Sequence, residues 1–271
     1  MNKKETVLIT GATSGIGKSL AYKFSKNYNY DLVLVSRNIS KLEFILKDLS
    51  KNNKNKIFIF EVDLTENDSS KKIINFLEKN EIDISILVNN AGIGQENLLD
   101  QTSIKHSNDI ISVNVSSLVN LTRELVPKLK ERGGGKILNV SSVVGFYPMP
   151  KSSIYSASKS FVIFFSESLR LELKKFNIKV SILCPGATIT NIEDNFEKYY
   201  ENKNELKTAK SIKTSLAGIK SSDQVAEIAI KDFLKNKFII IPGYRNKIFT
   251  FIMSTIGYKF RDYLIYLKIK K

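Results

Sequence analysis

The fold is decided by residues 6–26, which read TVLITGATSGIGKSLAYKFSK. Residues 7–10 are a short apolar run typical of a buried strand, and the apolar side chains from Ile16 onward recur at helical spacing. A glycine-rich turn joins the two and lies at the N-terminus of the helix. Unpaired backbone N–H groups and the positive end of the helix dipole favour a phosphate at such a turn. The stretch therefore predicts the first βα unit of a parallel sheet, with an anion site at its turn.

The glycines of this turn leave a second interpretation open. Their spacing from Gly11 to Gly17 is Gly-x-x-x-Gly-x-Gly rather than Gly-x-Gly-x-x-Gly, and a lone glycine motif can also be a plain tight turn. If a pyrophosphate binds here, small residues let it approach the backbone. The residues that would line it are Gly11, Thr13, Ser14, Gly15, Ile16 and Gly17.

The rest of the chain repeats this alternation. Apolar runs rich in Val and Ile predict seven strands, at residues 7–10, 32–36, 57–62, 84–88, 136–140, 179–183 and 238–241. Helical patterns lie between them, at residues 16–26, 39–49, 69–78, 103–130 (a pair of helices), 154–176 and 223–235. The alternation predicts a single-domain α/β protein with a doubly wound Rossmann fold, whose seven-stranded parallel sheet carries helices on both faces.

Two stretches interrupt the alternation. Residues 191–221 form a polar segment with the aromatic residues Phe196, Tyr199 and Tyr200, and its length beyond a median loop predicts a substrate lid. Residues 245–271 follow the last strand as a basic amphipathic tail. We therefore divide the chain into one domain, residues 1–244, and this tail.

The tail combines positive charge with apolar side chains. Seven basic residues against Asp262 give it a net charge of +6, and residues 248–258 are uncharged and largely apolar. That run is too short to span a bilayer, which needs about 20 residues. The pattern fits a helix lying in an anionic membrane surface. It equally fits a segment that packs on its own domain or on a partner subunit, and both interpretations stay open.

Composition limits the classes of partner and site. The 42 basic and 27 acidic residues give a formal net charge of +15, but only six of the basic residues are arginine and the lysines are scattered, so we expect no nucleic-acid partner. Cys184 is the only cysteine, which excludes an intrachain disulfide and indicates a buried, inert thiol in a reducing compartment. His106 is the only histidine, so we expect no metal site. The first residues lack a signal-peptide pattern, and we expect a cytoplasmic protein whose membrane contact is limited to the tail.

Arg37 ends the second strand 20 residues after Gly17. Dinucleotide-binding folds commonly place an Asp or Glu there, on the adenine ribose. A cation at that point instead suits the 2′-phosphate of NADP(H). Asp31 precedes the strand and is poorly placed for the acidic role. The alternative is that Arg37 is a solvated surface residue.

A second motif, Tyr155-Ser-Ala-Ser-Lys159, begins a predicted helix. Tyr155 and Lys159 are four residues apart and share a helical face. A phenol with a pKa of about 10 is a poor acid or base at neutral pH, and a nearby ammonium lowers that pKa. Alone, the pair could simply face solvent. Ser142, however, ends the fifth strand at the carboxyl edge where ligands of such sheets bind, so the three residues predict a proton-transfer site.

Together these motifs resemble the short-chain dehydrogenase/reductase family over residues 5–241. The pieces that carry the resemblance are Thr10-Gly-Ala-Thr-Ser-Gly-Ile-Gly17, Asp63-Leu64, Asn89-Asn90-Ala91-Gly92, Asn114, Ser142, Tyr155-x-x-x-Lys159 and Pro185-Gly186-Ala187-Thr188-Ile189-Thr190. Several motifs in the right order are more specific than any one of them.

The resemblance implies a catalytic role for four residues. Tyr155 would be the general acid, Lys159 would lower its pKa and hold the nicotinamide ribose, and Ser142 would bond the substrate oxygen. Asn114 would anchor a water chain that resupplies the proton. Residues implied in cofactor binding, besides the glycine-rich turn, Arg37, Tyr155 and Lys159, are Asp63 (adenine), Leu64, Asn90, Ala91, Gly92, Pro185, Gly186, Thr188 and Thr190 (carboxamide).

The implied activity is NADP(H)-dependent reduction of a ketone or aldehyde, or oxidation of the matching alcohol, in a dinucleotide-binding catalytic domain. The alternative is a non-catalytic Rossmann-fold module that senses or binds the cofactor. The apolar residues after Ser142, namely Val143, Val144, Phe146, Tyr147 and Met149, indicate either an apolar substrate pocket or core packing. Phenylalanines at positions 161, 164 and 165 lie on more than one face of their helix and predict a homodimer or homotetramer.

Overall fold

The computed structural model describes residues 4–51, 54–189 and 220–269. Within them, seven parallel strands form one sheet in the order β3-β2-β1-β4-β5-β6-β9. The strands of this sheet are β1 (Thr6–Thr10), β2 (Asp31–Ser36), β3 (Ile57–Glu61), β4 (Ile86–Asn89), β5 (Gly135–Val140), β6 (Ile178–Leu183) and β9 (Ile239–Ile240). The predicted doubly wound Rossmann fold is confirmed.

Helices cover both faces of the sheet. Those in the described residues are α1 (Gly15–Tyr28), α2 (Ile39–Ser50), α3 (Ser69–Lys79), α4 (Ile104–Ile111), α5 (Ser117–Glu131), α6 (Ser153–Leu173), α7 (Ser222–Leu234), α8 (Tyr244–Thr255) and α9 (Tyr258–Ile269). Helices α1, α2 and α7 pack on one face, and α3, α5 and α6 pack on the other. Alternate residues of β1 enter the two cores, since Val7 and Ile9 join the first and Leu8 the second. A strand buried on both sides explains why its sequence is an unbroken apolar run.

Several element boundaries differ from the prediction. Strand β4 begins at Ile86 rather than at position 84, because the Ser85 hydroxyl takes the place of a ladder group and accepts a hydrogen bond from Thr6 N at 3.0 Å. Helix α6 ends at Leu173, where the chain tightens into a 3₁₀ turn over Lys174–Phe176. Strand β9 keeps only two of the four residues predicted.

A short second ladder was not predicted. Strand β7 (Thr188–Ile189) pairs in parallel with β8 (Lys220–Ser221). Lys220 and Ser221 therefore belong to a strand rather than to the predicted lid, and the Ser221 side chain caps α7 in a capping box with Gln224. The rest of that lid, from position 191 to 219, lies outside the described residues, as do its three aromatic residues.

The tail folds into α8 and α9. Met253 of α8 is buried against Val143 and Tyr147 of the loop after β5, and the Phe249 ring meets the Tyr147 ring edge-on at 5.5 Å. Helix α8 thus packs on the domain through one side. In the described ranges, every helix is too short or too polar to cross a lipid bilayer.

Candidate active site

The glycine-rich turn between β1 and α1 leaves the start of the helix open to a ligand. Gly11 has a φ of +65°, a conformation that side chains disfavour. A Cβ on Gly17 would come within 2.3 Å of the Gly11 carbonyl oxygen, so only glycine fits there. Ser14 occupies the N-cap position, but its side chain makes no capping hydrogen bond. The first N–H groups of α1 therefore remain available for a phosphate.

Asn90 fastens this turn to the end of β4. Its side-chain amide donates to the carbonyl oxygens of Thr10 and Gly11, at 3.0 and 3.2 Å. In return, the Thr10 hydroxyl accepts hydrogen bonds from the backbone N–H groups of Asn90 and Ala91, both at 3.1 Å. The side chain predicted to line a cofactor site thus also holds the turn in shape.

Arg37 and Asp63 follow the neighbouring strands β2 and β3. Arg37 is exposed and directly follows β2. The pKa of the Asp63 carboxyl is lowered, chiefly by a hydrogen bond from the Thr65 backbone N–H and also by the charge of Arg37. In β2, the Ser36 hydroxyl is 2.8 Å from the Thr13 hydroxyl of the glycine-rich turn. Arg37 thus directly follows a residue that contacts the glycine-rich turn.

The four predicted catalytic residues meet at the carboxyl edge of β4 and β5. Ser142 follows β5, Tyr155 and Lys159 occupy the first turns of α6, and Asn114 lies in a π-helical turn, Ser112–Ser116. The Ser142 hydroxyl acts on the Tyr155 phenol and lowers its pKa, and the Lys159 Nζ lies 5.7 Å from the Tyr155 ring centroid. A Cβ on Gly92 would be 3.3 Å from Lys159 Nζ and 3.4 Å from Asn114 Oδ1, so these side chains flank one glycine.

Burial is the main cause of the pKa shifts of Tyr155 and Lys159. Burial raises the pKa of the Tyr155 phenol, and the group that lowers it is the Ser142 hydroxyl. Burial also lowers the pKa of Lys159 to about 8. The Lys159 Nζ donates to the Val140 carbonyl oxygen at 2.9 Å rather than to the phenol. Burial is the largest cause of the Tyr155 shift, and the lowering of this pKa by Lys159 stays a prediction.

Asn114 uses its side chain to join two elements of the site. It is 1% exposed. Its Oδ1 accepts from Ile93 N at 2.8 Å, and its Nδ2 donates to the Ile93 carbonyl oxygen and the Ser158 hydroxyl, both at 3.0 Å. Turns of the π type occur often at functional sites. The role of Asn114 in a water chain stays a prediction.

The other residues predicted to bind the cofactor lie in different local environments. The Pro185 carbonyl oxygen accepts from Val143 N at 3.1 Å and from the Ser142 hydroxyl at 3.4 Å. The Thr188 hydroxyl donates to the Gly186 carbonyl oxygen at 3.0 Å. Leu64 packs against the second core. Thr190 lies outside the described residues.

The loop after Ser142 takes part in core packing and also lines a cavity. Val143 and Tyr147 are buried, whereas Val144, Phe146 and Met149 are partly buried beside them. These three, together with Tyr147, line an open cavity of about 840 Å³ that also contacts α6 and α9. Ile265 and Arg261 of α9 complete its wall. The tail is thus part of the surroundings of this loop.

The single cysteine and the single histidine both have structural contacts. Cys184 is fully buried, as predicted, and burial raises its thiol pKa to about 12. The His106 Nε2 is 3.0 Å from the Gly94 carbonyl oxygen. Among the described residues, no cluster of His, Cys, Asp and Glu could hold a metal ion. Sequence reasoning missed Gln95, whose side chain contacts the start of α6.

Comparison with known proteins supports these features. The family model described as short chain dehydrogenase matches residues 5–201, which include the glycine-rich turn, Tyr155 and Lys159. The chain is 33% identical to the 3-oxoacyl-(acyl-carrier-protein) reductase FabG of Buchnera aphidicola subsp. Schizaphis graminum, over 74% of this chain and 80% of the relative. It is 32% identical to human 17-beta-hydroxysteroid dehydrogenase type 3, over 88% of this chain and 75% of the relative.

A solved structure is similar over nearly its whole length. The short-chain dehydrogenase from Sphingobium yanoikuyae, in complex with NADPH, has a TM-score of 0.77 and is 30% identical in sequence. The similarity covers 93% of this chain and 96% of that one.

Proposed function

This chain belongs to the short-chain dehydrogenase family, and from that premise we propose that it uses NADP(H) and acts on an extended apolar carbonyl compound. It is an oxidoreductase that transfers hydride between a nicotinamide cofactor and a carbonyl or alcohol carbon. The observation that carries this function is the meeting of Ser142, Tyr155 and Lys159 at the carboxyl edge of the sheet, where the Lys159 Nζ lies 5.7 Å from the Tyr155 ring centroid. A non-catalytic cofactor-binding module would have no need of this cluster.

The residues present fit a dinucleotide. The uncapped start of α1 suits its pyrophosphate, and Gly92 leaves a space that a Cβ would narrow between Lys159 and Asn114. The exposed guanidinium of Arg37 suits a 2′-phosphate, because arginine binds phosphate oxygens through several N–H groups at once. This arrangement supports our choice of NADP(H) over NAD(H).

Residues of this chain donate the proton and orient the carbonyl oxygen that receives it. When bound, the cofactor supplies the hydride to the carbonyl carbon. The raised pKa of Tyr155 keeps its hydroxyl protonated at neutral pH, so this group donates the proton to the carbonyl oxygen. The Ser142 hydroxyl, which lowers the pKa of Tyr155, orients the same oxygen, and the Lys159 ammonium stabilises the phenolate that remains. In alcohol oxidation the proton moves in reverse.

The substrate class rests on the loop after Ser142 and on the relatives. Phe146 and Met149 present partly buried apolar side chains near the site. The two named relatives are called a reductase of 3-oxoacyl groups and a steroid dehydrogenase. Purified protein with NADPH and ketones of increasing apolar length should consume NADPH, fastest with the larger ketones. Cofactor binding without turnover of any ketone or alcohol would instead support the non-catalytic alternative.

We also propose a symmetric homodimer or homotetramer built through α6. Phe161, Phe164 and Leu171 on this helix are 41%, 69% and 62% exposed, which is unusual for apolar side chains of this size. Light scattering at micromolar concentration should give the mass of a dimer or tetramer, and Phe164→Glu should lower it. Phe44→Glu, the same change at a 65%-exposed position on α2, should leave the mass unaltered. A monomeric wild-type protein would contradict the proposal.

Finally, we propose a cytoplasmic protein whose tail touches anionic membranes. Helices α8 and α9 expose Phe251 (68%) and Phe260 (58%), and the same helices carry the basic residues Arg245 and Lys259. Apolar side chains can enter the interface while the cations meet lipid phosphates. Helix α8 packs on the domain at Met253.

Sedimentation with vesicles tests the membrane contact. Wild-type protein should sediment with anionic vesicles at low salt and remain in the supernatant with neutral ones. Phe251→Asp combined with Phe260→Asp should abolish sedimentation, and Phe44→Asp should not. These point variants are preferable to a truncation after Gly243, which would also strip Met253 from Val143 and Tyr147. A wild-type protein that stays in the supernatant with every vesicle would overturn the proposal.

A further inference from the structure

Gln95 is a buried polar residue in the loop between β4 and α4. It is 3% exposed, and its side-chain oxygen accepts hydrogen bonds from the backbone N–H groups of Ile154 at 2.8 Å and Tyr155 at 3.4 Å. Its side-chain nitrogen donates to the Asn97 carbonyl oxygen at 3.2 Å and to the Thr102 hydroxyl at 3.3 Å. With both ends of the amide occupied, its orientation is defined.

This contact replaces the ordinary cap of α6. Ser152 occupies the N-cap position, where a serine hydroxyl usually accepts from the second or third N–H of the helix. Here the Ser152 side chain makes no such bond and donates instead to the Gln95 carbonyl oxygen at 2.7 Å. The capping oxygen therefore comes from a residue 59 positions before the N–H it binds.

The capped residues are the ones that carry the chemistry. Tyr155 is the third residue of α6, so the cap contacts its own backbone. On the next turn, Ser158 donates to the Tyr155 carbonyl oxygen at 2.7 Å and is itself bonded by Asn114. Asn114 also holds Ile93, two residues before Gln95. The loop after β4 is therefore tied to α6 at two points, one on each side of Tyr155.

We propose that Gln95 is a positioning residue that sets the placement and the proton affinity of the Tyr155 phenol by capping α6 from the loop after β4. This inference rests on the proposed role of Tyr155 as general acid. The absence of charge on the Gln95 amide matters for the pKa of Tyr155, in addition to the geometry of its hydrogen bonds. A carboxylate at the same place would also accept both hydrogen bonds, but its charge would disfavour the phenolate and raise the pKa of Tyr155.

Two variants separate geometry from charge. Gln95→Leu removes the accepting oxygen and should lower kcat roughly tenfold to 100-fold, because small misplacements of a reacting group have effects of this size. NADPH affinity should change by less than about twofold, since Gln95 makes no contact with the glycine-rich turn in the bonds described. Gln95→Glu keeps the cap, and should move the pH profile of alcohol oxidation upward by about one pH unit, because oxidation needs the phenolate.

Gln101→Glu is the matched control. It introduces the same charge six positions further along the same segment, at an exposed site in the 3₁₀ turn Leu99–Gln101. Its pH profile and kcat should match those of the wild type. If Gln95→Leu lowers thermal stability but leaves kcat unchanged, and Gln95→Glu leaves the pH profile unchanged, Gln95 is only structural and the proposal is wrong.

Two measurements that need no turnover test the role of Gln95 independently of the proposed function. Amide hydrogen exchange of the first turn of α6 should be faster in Gln95→Leu than in the wild type and unaltered in Gln101→Glu. Nuclear magnetic resonance of labelled tyrosine should show a raised pKa of Tyr155 in Gln95→Glu. If the wild type turns over nothing but both effects appear, the proposed function fails while the positioning by Gln95 stands. If neither effect appears, the positioning fails whatever the activity.

Discussion

Tyr155→Phe is expected to lower kcat for carbonyl reduction by roughly 10²-fold to 10⁴-fold, the range typical of losing a general acid. The change removes only the hydroxyl that would deliver the proton and leaves the ring in place. NADPH affinity should be nearly unaltered, because the ring remains beside Lys159. Single-turnover kinetics together with an equilibrium NADPH titration would measure the two quantities separately.

The control for this variant is Tyr244→Phe, which removes a hydroxyl from a residue of α8 that is 67% exposed. Its kcat should equal that of the wild type. If Tyr155→Phe retained more than about a tenth of wild-type kcat, the proton would have another source and the assignment of Tyr155 would be wrong.

Arg37→Asp is expected to reverse or erase a preference for NADPH over NADH. The substitution removes a charge-assisted hydrogen bond worth about 1.5–3 kcal/mol and adds repulsion against the 2′-phosphate, while the new carboxylate can accept from a free 2′-hydroxyl. The ratio of the two dissociation constants should therefore change by roughly 10²-fold or more, since 1.4 kcal/mol corresponds to a factor of about ten. Equilibrium titrations of both cofactors measure this ratio.

Arg123→Asp makes the same change of charge at an exposed position of α5 and controls for long-range electrostatics. It should leave the ratio close to that of the wild type, particularly at physiological salt, where charges beyond about 8 Å are screened. A wild-type protein that binds NADH as tightly as NADPH would show that Arg37 is an ordinary surface residue.

The sheet and the main site could be predicted because their signals are local. Each central strand is buried on both faces, so Val7 to Ile9 and Leu32 to Val35 appear as unbroken apolar runs. The glycine-rich turn and the Tyr155–Lys159 pair are short motifs whose spacing can be recognised in the sequence without knowledge of the packing. Parallel topology then brings the ends of β4 and β5 together, and with them Gly92 and Ser142.

Features that depend on distant contacts could not be predicted. No local pattern marks Gln95 as the cap of α6, because Ser152 already stands where a capping residue is expected. The direction of the Tyr155 pKa depends on how completely the fold removes water from the phenol, which a four-residue spacing does not reveal. The strands β7 and β8 have two residues each, which is too short to produce a period.

The ladder between β7 and β8 holds the two ends of residues 190–219 side by side, with Thr188 opposite Lys220 and Ile189 opposite Ser221. Ile189 and Lys220, the residues that flank this segment, therefore lie in neighbouring strands. The entropy lost in closing a loop grows only with the logarithm of its length, so that doubling the length costs about 0.6 kcal/mol. Changes in the length of this segment should therefore alter the free energy of unfolding of the domain only slightly. The core of the domain therefore sets no fixed length for this segment.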